Sequence, residues 1–268
     1  MKALKTYLCQ NVTFDWDGHV HLFNHEKPLP NTELLQYSHC VGFIDLELDV
    51  ENIEVISAYD DYIENHYNSK NTILLATALN INDIKSIYNK YPKIIKGFGE
   101  LKCYDSYKDL KVPYKKISFV RQVCKFSKEV GNLPVYLHWE LNDSVDCKKL
   151  EKLLSDFPSV PIVLCHCGMN GTNNNHACIQ AQNLQRKYSN LWLDISYTAL
   201  VHFNNNPMQL SIYDKDRLIF GSDVNNKLFG ENHDTENEIL NIVKMSHDVQ
   251  TKILIDNQRN ILRLFKGS

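Results

Sequence analysis

Pro161-Ile162-Val163-Leu164-Cys165-His166 is a short apolar, β-rich run that ends on a histidine, and the recurrence of this pattern decides the fold. Val135-Tyr136-Leu137-His138 has the same form 28 residues upstream, and Leu191-Trp192-Leu193-Asp194-Ile195 places an aspartate 28 residues downstream. Leu218-Ile219-Phe220-Gly221-Ser222-Asp223 closes on another aspartate 57 residues after His166, or two such steps. A repeated strand-plus-helix unit that presents a polar residue at each strand's C-terminal end is how a (β/α)₈ barrel builds a site.

Working outward, eight runs read as strands: Val12–His21, Val41–Leu48, Ile73–Leu79, Ile94–Leu101, Pro134–Trp139, Pro161–His166, Leu191–Ser196 and Arg217–Asp223. Helical spacing fills the intervals, as in Ile117, Val120, Val123, Cys124 and Ser127, or Leu150, Leu153, Leu154 and Phe157 before Pro158. Strands alternating with helices imply a parallel sheet with right-handed crossovers, and eight of them imply closure. The expectation is an α/β chain folded as one (β/α)₈ TIM barrel, open to distortion, with residues 1–268 forming a single domain of metal-dependent hydrolase type. Loops 23–36, 102–113 and 168–175 follow strand ends and should gather on the site's face, and residues 249–265 read as helices packed outside the barrel.

Composition narrows the class. With 268 residues, 43% hydrophobic and 23% charged, the chain is ordinary for a barrel of about 250 residues. A net charge of −3 gives no electrostatic reason to expect nucleic acid or an anionic membrane as partner. No apolar run approaches the ~20 residues of a membrane span, and Met1–Thr6 lacks a signal-peptide pattern. Eight cysteines without a CxxC pair read as reduced, buried thiols, so a cytoplasmic location follows. The expected partner is a small-molecule substrate, and a homodimer is the commonest assembly.

Metal-type residues stand at the strand ends. In Asp17-Gly18-His19-Val20-His21 the two histidines share a strand face, so both can reach one ion. Glu100, in Gly97-Phe98-Gly99-Glu100, is a carboxylate that can bridge two ions, and Lys102 on the same face is a substrate or charge partner, or a carbamylated bridge. His138 and His166 follow in phase. Cys165 and Cys167 flank His166 with the opposite strand parity, so they should point away from the barrel axis and are discounted as ligands. Asp223 can orient a water, take its proton and deliver it to a leaving group, or simply cap the next helix. Tyr197, His202 and Lys227 are polar candidates near the mouth, with solvated loop as the alternative.

On Asp17–His21, Gly97–Lys102, His138, His166, Gly221-Ser222-Asp223 and the tail Lys252–Phe265, the chain resembles the amidohydrolase superfamily, in its amidohydrolase-related branch of metal-dependent hydrolases and decarboxylases. The resemblance implies metal ligation by His19, His21 and Asp223, with His138 bound to one or both ions. It gives His166 either a second ion or the polarisation of substrate, and makes Asp223 and His166 the catalytic pair. Glu100 in its glycine setting is similar to TatD-like hydrolases, which use two metals and act on nucleic acid. Ser222-Asp223-Val224-Asn225 is similar to polymerase-and-histidinol-phosphatase phosphoesterases, which expect a histidine where Asn225 stands.

The expected cofactor is one or two divalent ions, Zn²⁺ first, with Mn²⁺, Fe²⁺ or Co²⁺ accepted by the same donors. The expected reaction is attack of metal-activated water on a small amide, ester or lactone. Its competitors are decarboxylation of a small unsaturated acid, TatD-like phosphodiester cleavage, and a non-catalytic barrel used for binding.

Overall fold

The alternation of apolar strands with amphipathic helices produces one continuous sheet. The computed structural model describes residues 16–24, 27–28, 39–45, 55–70, 72–78, 80–103, 117–141, 143–169, 174–196, 199, 202–203, 213–221 and 257–265. The strands are β1 (Trp16–Asn24), β2 (Lys27–Pro28), β3 (His39–Asp45), β4 (Thr72–Ala76), β5 (Ile95–Lys102), β6 (Val135–His138), β7 (Ile162–Leu164), β8 (Leu191–Ile195) and β9 (Leu218–Phe220). Five helices cover them: α1 (Val55–Asn65), α2 (Ile81–Lys90), α3 (Ile117–Glu129), α4 (Ser144–Asp156) and α5 (Asn174–Lys187). The sheet order is β2-β1-β3-β4-β5-β6-β7-β8-β9. Every neighbouring pair is parallel except β1–β2, a short antiparallel return that pairs Phe23 with Pro28. The eight parallel strands coincide with the eight runs read from the sequence, and the architecture is a distorted TIM barrel.

Strand parity separates two cores. Outward residues such as Leu74, Phe98, Leu137, Leu164 and Leu193 pack under the helices with Val120, Val123, Leu150 and Leu153. Inward residues Val41, Leu75, Tyr136, Val163, Trp192 and Ile219 fill the barrel itself. Helix starts are set locally. The Asn80 side chain accepts from the Asp83 amide at α2, and Asp143 accepts from the Val145 and Asp146 amides at α4. Each such cap contributes about 1 kcal/mol.

Among the described residues β9 and β1 meet without a strand ladder. A Cβ on Gly221 would sit 2.2 Å from the His19 Cβ, and one on Gly18 would sit 2.7 Å from the Phe220 carbonyl. The two strands therefore touch backbone to backbone through glycines. Beside the seam, the Gly221 amide points to Ile195 on β8. By alternation the polar groups of Phe220 face the other way, toward β1. The Asn257 side chain takes them: its Oδ1 accepts from the Phe220 amide at 2.8 Å and its Nδ2 donates to the Phe220 carbonyl at 3.2 Å. Asn260 donates to the Lys215 and Leu218 carbonyls in the same way.

This corrects the expectation that the tail packs outside the barrel. The helical stretch 257–265 places Ile261, Leu264 and Phe265 in the inward core. Phe265 reaches β5 on the far side of the ring, where it lies 3.6 Å from the Cβ position of Gly97. A segment anchored to β9 and touching β5 crosses beneath the barrel. The sequence shows an amphipathic tail but not which apolar surface receives it.

The seam makes a specific prediction. Replacing Asn257 with alanine removes one acceptor and one donor from the buried Phe220 amide and carbonyl, which should cost about 1–3 kcal/mol. Urea unfolding of Asn257→Ala, compared with an alanine at the exposed neighbour Arg259, would show it; equal midpoints would mean the side chain does not hold the seam.

Candidate metal centre

Three strand ends and one turn converge on a single carboxylate. Glu100 rises from β5 at a bulge: Phe98 pairs with Val135 and Leu101 with Leu137, so three steps on β5 meet two on β6. The extra residue re-aims the Gly99–Glu100 pair into the barrel. Gly99 has φ +125°, and a Cβ there would meet the Tyr136 carbonyl at 2.5 Å, so only glycine fits. Glu100 is buried among imidazoles. Its Oε1 is 2.9 Å from His138 Nδ1, 3.7 Å from His166 Nε2 and 4.0 Å from His19 Nε2. Lys102 Nζ stands 3.9 Å from the other oxygen, Oε2.

His166 arrives by an unexpected route. The strand reading ended β7 on this residue, but β7 stops at Leu164 and Cys165–Gly168 form a 3₁₀ turn. His166 and Cys167 lie in the left-handed region, at φ 52° and 53°. Cys165 keeps the inward side of Val163, two residues before it, and the left-handed turn then brings His166 to the same side. Cys165 belongs to the inward core, and its Sγ falls within 4.8 Å of ligand atoms from His19 and Glu100, so the expectation that it points away from the axis is wrong. Cys167 does pack outward, its thiol on the Asp194 carbonyl.

Two residues not singled out as site residues complete the constellation. His19 Nδ1 lies 2.7 Å from Asp194 Oδ2, Ser196 Oγ donates to the same oxygen at 2.8 Å, and His166 Nδ1 lies 2.8 Å from Ser196 Oγ. All four groups are buried. The signal was present in the alternation Trp192, Asp194, Ser196, which puts all three on the inward face of β8.

Other expected residues fall differently. His21 is placed as backbone in β1, paired with Phe43, and its side chain lies outside the described residues. Asp223, Tyr197, Asn225 and Lys227 also lie outside them. His202 is buried, edge-on to Phe203 at 5.5 Å, which argues against a solvated loop; no described contact joins it to Glu100. Arg217 sits at the opposite end of the barrel, its guanidinium donating to the Gln185, Tyr188 and Leu191 carbonyls. All seven described cysteines are buried, and no disulfide joins any two of them. No described helix is long and apolar enough to cross a membrane.

The donor chemistry fits a divalent ion. Ligand atoms on one tetrahedral ion with bonds near 2.1 Å lie about 3.4 Å apart. The separations from Glu100 Oε1, 2.9 to 4.0 Å, bracket that value. Glu100, His138 and His166 form one such group of potential ligands, and His19, Glu100 and Cys165 another.

A barrel with its polar groups gathered at the C-terminal strand ends defines a class of enzyme. A family model for amidohydrolases matches residues 129–264, half of the chain, and the chain belongs to that family of hydrolases. A search of curated proteins finds no match. Among solved structures the chain is similar to an amidohydrolase from Burkholderia multivorans, at 11% identity and a TM-score of 0.64, covering 95% of this chain and 100% of that one. It is also similar to a probable 2-pyrone-4,6-dicarboxylic acid hydrolase from Acinetobacter baumannii, at 17% identity and TM-score 0.59, covering 94% and 99%. A dihydropyrimidinase from Brevibacillus agri shares the fold at 13% identity and TM-score 0.56, covering 90% and 69%.

Electrostatics of the centre depend on pH. Burial pushes the Glu100 carboxyl up, but His138, with His19 and Lys102 in support, holds it well below the usual carboxylate range. A carboxyl lowered in the folded state contributes stability above its unfolded pKa of about 4.3. That contribution is lost as pH falls below this value and through the folded one. Acid unfolding of metal-free protein, followed by circular dichroism, should therefore be less steep in Glu100→Gln; an unchanged slope would remove Glu100 from the acid response.

Proposed function

We propose that this chain is a metal-dependent hydrolase whose ion activates water against a small amide, ester or lactone. The observation that carries the reading is the convergence of His19, His138 and His166 nitrogens on one buried Glu100 oxygen at the barrel's C-terminal end. In this reading these four residues hold the ion, and His21 and Asp223 complete the set. The choice among Zn²⁺, Mn²⁺, Fe²⁺ and Co²⁺ follows availability, since imidazole and carboxylate donors accept all of them, and Zn²⁺ is preferred. A bound ion supplies Lewis acidity, lowering the pKa of a water toward 7 and polarising the substrate carbonyl.

The chain's own groups do the rest. Asp223 takes the proton from the attacking water and returns it to the leaving group. His166 would bind the second ion of a two-metal site or, in a one-metal site and protonated on Nε2 as well, polarise the substrate. Glu100 offsets the positive charge of the centre and can bridge two ions. Lys102, half-buried beside Glu100 Oε2, provides a cation for a substrate carboxylate, with Tyr197 and His202 as further contacts. Lys102 also favours the second reading, decarboxylation of a small unsaturated acid, because that reaction needs a cation for the acid group.

Elemental mass spectrometry of the protein purified without added metal, with Glu100→Ala alongside, tests the centre. Two ions falling to one or none in the variant support a bridged hydrolase site. One ion indifferent to the variant favours the mononuclear, decarboxylating reading. No ion in either protein, even after reconstitution, overturns the proposal. On the substrate identified, Asp223→Asn should lower kcat by at least about 100-fold; full activity would remove Asp223 from the mechanism.

A further inference from the structure

The Asp194–Ser196 pair joins two histidines that stand on different elements. His19 comes from β1 and His166 from the turn after β7, yet both ring Nδ1 atoms end on one hydrogen-bonded unit at the end of β8. We propose that Asp194 and Ser196 are positioning residues, a single relay that fixes both imidazoles as Nδ1–H tautomers and so turns both bare Nε2 atoms toward Glu100.

Counting protons gives the direction of each bond. A carboxylate only accepts, so its Oδ2 must receive a proton from both His19 Nδ1 and Ser196 Oγ. The serine has one proton, and that proton is spent on Asp194. Toward His166 its oxygen can then only accept, so His166 Nδ1 must carry the hydrogen. Counted as neutral imidazoles, both rings are then left with a lone pair on Nε2. Those are the two nitrogens at 4.0 and 3.7 Å from Glu100 Oε1.

One aspartate thus sets two rings, one directly and one through a hydroxyl. The ring planes confirm a common orientation: His19 and His166 stack at 5.4 Å with 30° between them. Burial of every member excludes water as a substitute acceptor from bulk, so losing one oxygen cannot be repaired from solvent. The second carboxylate oxygen, Asp194 Oδ1, is buried with no hydrogen-bond partner among the described residues, so every bond the carboxylate makes there runs through Oδ2. Such outer hydrogen bonds orient a ligand ring and raise its basicity. The use of these rings as metal ligands rests on the function proposed above; their tautomers do not.

The test separates the two. Metal-free protein labelled with ¹⁵N at histidine, studied by long-range ¹H–¹⁵N correlation near neutral pH, should show His19 and His166 as Nδ1–H tautomers. His19→Gln and His166→Gln assign the signals. In Ser196→Ala, His166 should revert to the Nε2–H form while His19 stays as it was. Ser196→Thr, which keeps the hydroxyl, should retain both. Zn²⁺ affinity, measured by competition with a chromophoric chelator, should fall about 10- to 100-fold in Ser196→Ala and recover in Ser196→Thr. A wild-type His166 carrying its proton on Nε2 overturns the relay without recourse to any variant, as does a folded Ser196→Ala with His166 unchanged. The expected tautomers in a wild type that binds no metal would support the relay and sink the hydrolase reading.

Discussion

A ring of eight strands holds only if the last meets the first, and here the meeting depends on two missing side chains. Gly18 and Gly221 let β1 and β9 approach so closely that a methyl group on either would enter the other's backbone or the base of His19. The contact sets where His19 stands, and His19 in turn faces Glu100 and Asp194. The polar groups of β9 that a strand ladder would occupy are taken by the Asn257 amide, which offers one acceptor and one donor in the spacing of a peptide. A side chain therefore stands in for a strand, and the seam stays narrow enough to position a histidine.

Around Glu100 the barrel accepts a costly arrangement. A buried carboxylate is costly unless positive or polarised groups face it, and here His138 and Lys102 stand nearest to Glu100 in that role. Glu100, held well below the usual carboxylate range against a burial that pushes it up, expresses that dependence. The surrounding wall is made unyielding by shape rather than by strong bonds: Gly99 fits against Tyr136, and His138 meets the His166 ring edge-on at 4.5 Å. Rigidity of this kind places donors before any ligand arrives.

The sequence carried the architecture because each β-rich run has its own period and each ends on a polar residue. All eight parallel strands were legible for that reason, as were the buried faces of α3 and α4. Legibility failed where the backbone leaves its period. Cys165 and His166 have successive positions and opposite expected sides, yet Cys165 keeps the inward side and the left-handed turn brings His166 to it. Asp194 was visible as a strand end, but its partnership with His19 spans 175 residues and no local pattern encodes it. The tail was recognisable by composition, while its course beneath the ring depends on Gly97 being bare on the far side. Tertiary shape, not propensity, decided each of these.

The segment that crosses beneath the strands has a consequence for traffic. Ile261, Leu264 and Phe265 close the end of the barrel away from Glu100, and Val41, Leu75, Tyr136 and Val163 fill the interior between. Among the described residues the interior below Glu100 is filled, so a molecule reaching that carboxylate comes from the C-terminal strand ends. In the proposed reaction substrate and product would share the approach from the C-terminal strand ends, and product held there would compete with the next substrate.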